Sequence, residues 1–168
     1  IPYFPPAYVF GGSVVAAYQI CRELARRGHG VTVWTTAVKD RRSRLEGSQY
    51  EAMDGVEVYR FRVKPLELAR RMKLFVTPSL VGYAKRHVGE FDVIHLHEYY
   101  TFQNVVVSHY ARKRGVPYVL QPHGSLAVVG HWRRAKALYN LLFGYRLLRG
   151  ACKVLALTRG SHASQAHG

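Results

Sequence analysis

Apolar and polar positions along the chain alternate between a helical period and a strand period. Apolar side chains between residues 14 and 25 recur at a spacing near 3.6, with Ser13 placed to cap that helix. Short β-rich runs follow at 31–37 and 56–61. The polar stretch between them, 39–54, predicts a loop.

The remaining chain continues this alternation of helices and strands. Strands that alternate with helices of this length require right-handed crossovers and a parallel sheet covered on both faces. The pattern therefore predicts an α/β fold, a Rossmann-like parallel sheet with helices on both faces. The predicted helices are 65–75, 78–88, 103–114 and 133–149, and the predicted strands are 91–97, 117–121 and 153–157.

Composition narrows the class of protein. A chain of 168 residues with 48% hydrophobic content has enough apolar side chains for one domain and is not disordered. Cys21 and Cys152 lie in apolar segments, so we expect reduced core thiols in a cytoplasmic protein.

No apolar run approaches the roughly 20 residues that cross a bilayer. The opening residues carry no basic leader, and we expect residues to be missing upstream of Ile1.

The net charge of +15 predicts attraction to polyanions, which are nucleic acid, anionic lipid or phosphorylated ligands. Leu66 to Phe75 form a basic amphipathic stretch that is able to lie on anionic lipid. This leaves a peripheral membrane-binding module as an alternative function. A nucleic-acid-binding protein is not expected, because no recognition motif accompanies the charge.

Polar residues cluster where the predicted strands end, which is the edge at which parallel sheets bind ligands. Gly11 and Gly12 begin the first helix and let a phosphate or a sugar approach the backbone N–H groups. The loop is neither G-x-G-x-x-G nor a P-loop, so a nicotinamide cofactor is poorly supported. The other residues at this edge are Ser13, His97, Glu98, Tyr99, His123, Gly124, Ser125 and Thr158.

Two histidines of the 91–97 strand have the spacing that places side chains on one face. His95 and His97 could therefore bind a metal with Glu98, but no third ligand is spaced to complete the site. We predict no metal, with His95 a core histidine and His97 facing the ligand edge.

Four segments in this order resemble one known family. They are PYFPPAYVFGGSVVAAYQICRELARRGH (Pro2 to His29), FDVIHLHE (Phe91 to Glu98), VPYVLQPHGS (Val116 to Ser125) and KVLALT (Lys153 to Thr158). The chain resembles the N-terminal domain of retaining glycosyltransferases of the GT-B fold, in glycosyltransferase family 4. The resemblance implies a two-domain enzyme that moves a sugar from a nucleotide diphosphate sugar to an acceptor with retention, without a metal, a cofactor or a protein nucleophile.

The resemblance also implies roles for individual residues. Gly11 and Gly12 match the glycine loop that approaches the diphosphate and the transferred sugar. His123 matches the histidine that contacts this sugar, and it is our catalytic candidate. Glu98, Tyr99 and Ser125 are candidates for binding the acceptor, which is a sugar or a lipid-linked molecule.

The family pattern further implies how the protein is divided. Residues 1–158 are expected to form the acceptor-side domain without the start of its central first strand, and 159–168 a tail of uncertain origin. The C-terminal domain that grips the donor is absent from this sequence, so we expect the chain to be inactive alone. We expect a cytoplasmic protein, with the inner face of the membrane as a further possible location.

Overall fold

A computed structural model describes residues 1–40, 43–64, 76–124 and 133–156. Three sequence predictions lie outside these residues: the helix at 65–75 with its proposed lipid contact, the acceptor candidate Ser125, and the tail 159–168. The described part alternates strands and helices as the sequence predicts.

The first long helix, α1, spans Gly12–Arg26 and follows a 3-10 turn at Tyr8–Phe10. The prediction that Ser13 caps α1 is wrong. Gly11 holds the N-cap position with φ 96° and ψ −158°, a backbone conformation open essentially to glycine, so helical geometry already begins at Gly12 and no side chain caps the helix.

The first half-sheet contains β1 (Val31–Thr36), β2 (Tyr50–Met53) and β3 (Val56–Phe61) in the order β1-β3-β2. β1 and β3 are parallel, as predicted, whereas β2 is antiparallel to β3. The prediction of a loop through 39–54 is therefore wrong at its end. Asp54 and Gly55, both with positive φ, form the tight turn that joins β2 to β3, and Asp-Gly is a strong hairpin signal.

The second half-sheet is entirely parallel and consists of β4 (Ile94–His97), β5 (Tyr118–Gln121) and β6 (Lys153–Val154), in that order. Helix α2 (Pro78–His87) precedes β4, with a 3-10 turn at Val88–Glu90 between them. Helix α3 (Phe102–Arg114) connects β4 to β5 and ends at Gly115, as predicted.

A nearly continuous helical segment connects β5 to β6. It consists of α4 (Arg133–Tyr139), a π turn (Asn140–Gly144) and α5 (Tyr145–Gly150), in place of the single helix predicted for 133–149. Leu147 on its inner side is buried with Tyr118 and Leu120 of β5. In the described part of the chain, no helix is long and apolar enough to cross a bilayer.

Each half-sheet has its own buried cluster, one around Phe4, Ala17 and Val58 and one around Leu80, Leu96 and Tyr118. A cavity of about 780 Å³ lies between the half-sheets and is lined by residues of both β1 and β4. Parallel strands joined by helices confirm the predicted Rossmann-like α/β fold.

The two cysteines differ in their surroundings. Both are free thiols, and burial raises the pKa of Cys21 to about 11, which keeps it protonated. Cys152 is exposed, so the prediction of a core residue is wrong there. The reason is that β6 contains only Lys153 and Val154, so the chain around Cys152 lies at the surface beside Tyr118 rather than inside a longer strand.

Candidate functional site

Three loops meet at the carboxyl edge of the strands around a cavity of about 490 Å³. The loop before α1 contributes Gly12, the residue after β4 contributes Glu98, and the turn after β5 contributes His123. The structure thus brings together three residues that the sequence singled out. Ser13, which the sequence also places at this edge, lines the cavity together with Phe10 and Ala16, which sequence reasoning missed.

The glycine loop forms an open wall of this cavity. A Cβ added at Gly12 would meet no other atom within 4 Å, so the space beside the helix start is free to admit a ligand. The N–H groups at the start of α1 form its positive dipole end, and the Val14 N–H among them donates to the carbonyl of the N-cap Gly11 at 3.2 Å. Phe10 is held by stacking on Tyr3, with ring centroids 3.7 Å apart and an interplanar angle of 4°. Gly11 adjoins this wall as the N-cap of α1.

Glu98 has an unusual backbone conformation for a non-glycine residue, with φ 65°. The buried side chain of Asn104 supports it, because its Nδ2 donates to the carbonyl oxygens of His97, at 3.1 Å, and Glu98, at 2.8 Å. The Glu98 N–H in turn donates to the carbonyl of Gln121 at 2.9 Å. Asn104 therefore holds the backbone of Glu98 in this conformation. In the sequence, the only sign of this role is a polar residue early in α3.

Three histidines stack along the second half-sheet. His95 and His97 share one face, as predicted, with ring centroids 4.1 Å apart, and His123 lies beyond His97 at 5.2 Å. The Nδ1 atom of His97 is 2.9 Å from Nε2 of His123, a hydrogen bond that needs one proton between the two nitrogens. The sequence suggested no contact between His97 and His123.

Burial determines the charge of these rings. It lowers the pKa of His97 to about 2 and that of His95 to about 4, and it also lowers the pKa of His123. All three rings are therefore neutral near pH 7. Among the described residues, no three His, Cys, Asp or Glu side chains are grouped as a metal ion requires.

Comparison with known proteins decides the family. Residues 11–164 match the model of a family described as glycosyl transferase 4-like domain. The chain belongs to this family. It is also 32% identical over 161 residues to the D-inositol 3-phosphate glycosyltransferase of Frankia alni, an alignment that covers 88% of this chain and 37% of that protein.

The family assignment confirms the resemblance to the N-terminal domain of GT-B glycosyltransferases. This glycosyl transferase 4-like domain spans about 37% of the length of the curated relative it matches. All residues that line the cavity of about 490 Å³, except Phe10, lie within the range 11–164 that matches the family.

One acceptor candidate of the transferase domain lies away from the cavity. Tyr99 is 2% exposed and packs in the core, with its ring edge-on to Tyr100 and Tyr139. It follows Glu98 directly, and the positive φ of Glu98 turns the chain so that the next side chain points inward. Tyr99 is therefore placed to support the loop rather than to line the cavity.

Proposed function

We propose that this domain is the acceptor-side half of a retaining glycosyltransferase that moves a hexose from a nucleotide diphosphate sugar to a sugar or lipid-linked acceptor. The observation that carries the proposal is the cavity in which the open helix start at Gly12 faces His123 and Glu98. These groups come from three separate loops, as expected of a site assembled at a sheet edge.

Each wall of the cavity suits a different part of the reaction. The leaving diphosphate gains negative charge, which the N–H groups at the start of α1 and the helix dipole stabilise. We propose that Gly11 and Gly12 allow its close approach and that His123 contacts the transferred sugar. Glu98 lies across the cavity from the helix start, where its carboxylate is able to accept a hydrogen bond from an acceptor hydroxyl.

We propose that a second, C-terminal domain supplies most of the donor site. A cleft closed by a second domain would exclude water from the transfer. On this proposal the domain alone binds weakly and does not catalyse, and the reaction needs no metal or cofactor. A lipid-linked acceptor would place the enzyme at the inner face of the membrane.

The test joins this chain to a donor-binding domain and supplies a panel of nucleotide diphosphate hexoses with candidate acceptors. We expect sugar transfer with retained anomeric configuration, measured by the proton coupling constant of the product, and no effect of a chelator. The chain alone is expected to give no turnover. An inverted product would overturn retention, and equal rates for the chain alone would overturn the two-domain proposal.

A matched pair of variants connects the activity to the cavity. His123→Ala is expected to lower kcat by about 100-fold, the scale of one positioned polar group in a transition state. His109→Ala, which changes an exposed histidine on α3, is expected to leave kcat unchanged. Equal effects of the two substitutions would remove His123 from the site.

A further inference from the structure

The helical segment 133–150 carries an apolar stripe that faces solvent. Its members follow the i, i+3, i+4, i+7 spacing of one helix face. The opposite side of the segment, with Gly144 and Leu147, is buried in the core. Packing within the described part of the domain therefore accounts for one face of the segment only. The stripe consists of Leu138, Leu141, Leu142 and Tyr145, which are exposed by 56%, 72%, 51% and 56%.

Basic side chains accompany this stripe. Arg134, Arg146 and Arg149 of the same segment are exposed. The surrounding sequence adds to the positive electrostatic potential of these arginines, because residues 99–168 contain ten Lys or Arg and no Asp or Glu. Every acidic residue of the chain lies at or before Glu98, so the half of the sequence that carries the stripe has a strongly positive charge.

We propose that the exposed face of 133–150 docks on an anionic lipid bilayer, with the leucines and Tyr145 inserted at the interface and the arginines facing lipid headgroups. Apolar insertion and attraction to anionic headgroups are the two terms that hold a helix in the plane of a membrane. The stripe supplies the first term and the acid-free surroundings supply the second.

Charge distinguishes a membrane from other partners for this face. A second copy of the chain would bring two acid-free faces together, and their repulsion opposes a dimer. A nucleic acid would meet the arginines but would gain little from leucines, which do not stack on bases. Of these three partners, an anionic bilayer alone satisfies both the apolar and the basic side chains.

This docking gives the proposed transferase a source of acceptor, since a lipid-linked acceptor would lie in the same membrane. In that respect the inference rests on the proposed function. The binding itself does not, because it needs neither donor nor turnover.

The experiment measures co-flotation of the chain with phosphatidylcholine vesicles and with vesicles that contain 30% phosphatidylglycerol. We expect binding to the anionic vesicles that weakens at least tenfold between 50 and 500 mM salt, and little binding to the neutral ones. Leu141→Ser with Leu142→Ser is expected to weaken binding about tenfold or more. Arg134→Gln with Arg149→Gln is expected to weaken it about 25-fold, since each of the two removed charges contributes about fivefold.

Matched controls change exposed residues on other helices. Val15→Ser on α1 and Lys85→Gln with Arg86→Gln on α2 are expected to bind as the parent chain does. Circular dichroism melting checks that every variant folds, and a leucine variant that does not is replaced by Leu141→Gln alone. Equal binding to both vesicle types, or unchanged binding of the leucine variant, would overturn the proposal. Self-association that the leucine substitutions abolish would assign the face to a second copy instead.

Discussion

The ring of His97 is hydrogen-bonded to the ring of His123, with 2.9 Å between Nδ1 of the first and Nε2 of the second. His97 is nearly inaccessible, whereas His123 lines the cavity. This hydrogen bond occupies one nitrogen of His123 and leaves Nδ1 as the ring nitrogen that a ligand can meet. His97 is therefore a positioning residue for the candidate catalytic histidine.

The first prediction concerns the tautomer of His123. His97→Leu removes the partner of Nε2 and should free His123 to change its tautomer and ring orientation, whereas His97→Asn keeps an amide near the position of Nδ1. We expect the ring ¹⁵N chemical shifts of His123 to change in the leucine variant and to stay close to the parent values in the asparagine variant. Unchanged shifts in both variants would show that His97 does not position His123.

The second prediction concerns stability at low pH. An unfolded histidine takes up a proton near pH 6.5, whereas burial holds the pKa of His97 near 2 in the folded state. Between these values the unfolded state binds more protons, so the free energy of unfolding falls as pH falls. His97 alone should lower it by about 2 kcal/mol between pH 7 and pH 5.

Urea unfolding of the parent chain and of His97→Asn at both pH values measures this loss. We expect the asparagine variant to lose about 2 kcal/mol less than the parent on acidification. His29→Asn, which changes an exposed histidine, should lose as much as the parent does. If the parent and His97→Asn lose the same free energy of unfolding between pH 7 and pH 5, His97 is protonated at pH 5 in the folded chain.

Periodicity in the sequence predicted most of the elements. The helices α1 and α3 and the strands β1 and β3 carry apolar side chains at regular spacing, and such spacing specifies both the type of element and its buried face. The strand β2 was missed because only four residues form it, and its alternating side chains are exposed or half-buried. Its Asp54-Gly55 turn was the available signal.

The site was predicted unevenly for a related reason. Glycine and histidine at the ends of strands identified Gly12 and His123, since parallel strands end at a common edge. The hydrogen bonds of Asn104 and the pairing of His97 with His123 depend on how separate loops meet in space. Spacing along one chain contains no information about such contacts.

The third prediction separates ligand binding from folding at Gly12. A Cβ there meets no other atom of the protein, so Gly12→Ala should keep or raise the free energy of unfolding, by up to about 1 kcal/mol. The added methyl group nevertheless occupies the proposed approach of the diphosphate. We measure binding by an NMR titration with inorganic pyrophosphate. In Gly12→Ala, we expect the chemical shifts of the α1 amides to saturate at a pyrophosphate concentration about tenfold higher or more than in the parent chain.

Two further glycines serve as comparisons for Gly12→Ala. Gly82→Ala in the middle of α2 places its Cβ at an ordinary 3.6 Å from Arg86 and should stabilise the chain without affecting pyrophosphate binding. Gly11→Ala should lose about 1–3 kcal/mol of stability, because alanine is strained at φ 96°. Undiminished pyrophosphate binding by Gly12→Ala would place the diphosphate elsewhere.

The fourth prediction tests how Asn104 supports Glu98. Asn104→Asp replaces the donating amide by a group that accepts when ionised, so both carbonyls lose their donor and face a buried negative charge. We expect the free energy of unfolding to fall by about 3 kcal/mol or more, measured by urea unfolding at pH 7. Asn104→Ser, which is smaller but keeps one donor, should lose less. A loss in Asn104→Asp no larger than the loss in Asn104→Ser would mean that donation to the two carbonyls is not what supports Glu98.

The fifth prediction concerns the cavity of about 780 Å³ between β1 and β4. Residues 1 and 2 lie beside the end of β1, where the Ile1 nitrogen donates to the carbonyl of Trp34 and the Thr36 N–H donates to the carbonyl of Pro2. A chain that continues upstream from Ile1 would run along β1 into this cavity.

Five apolar residues fused before Ile1 should pair with the free edges of β1 and β4 and bury the side chains that line the cavity. We expect them to raise the free energy of unfolding by about 2 kcal/mol or more. The same insert with two prolines lacks the N–H groups for pairing and should leave stability unchanged, so equal melting temperatures of the two fusions would show that the cavity does not accept a strand.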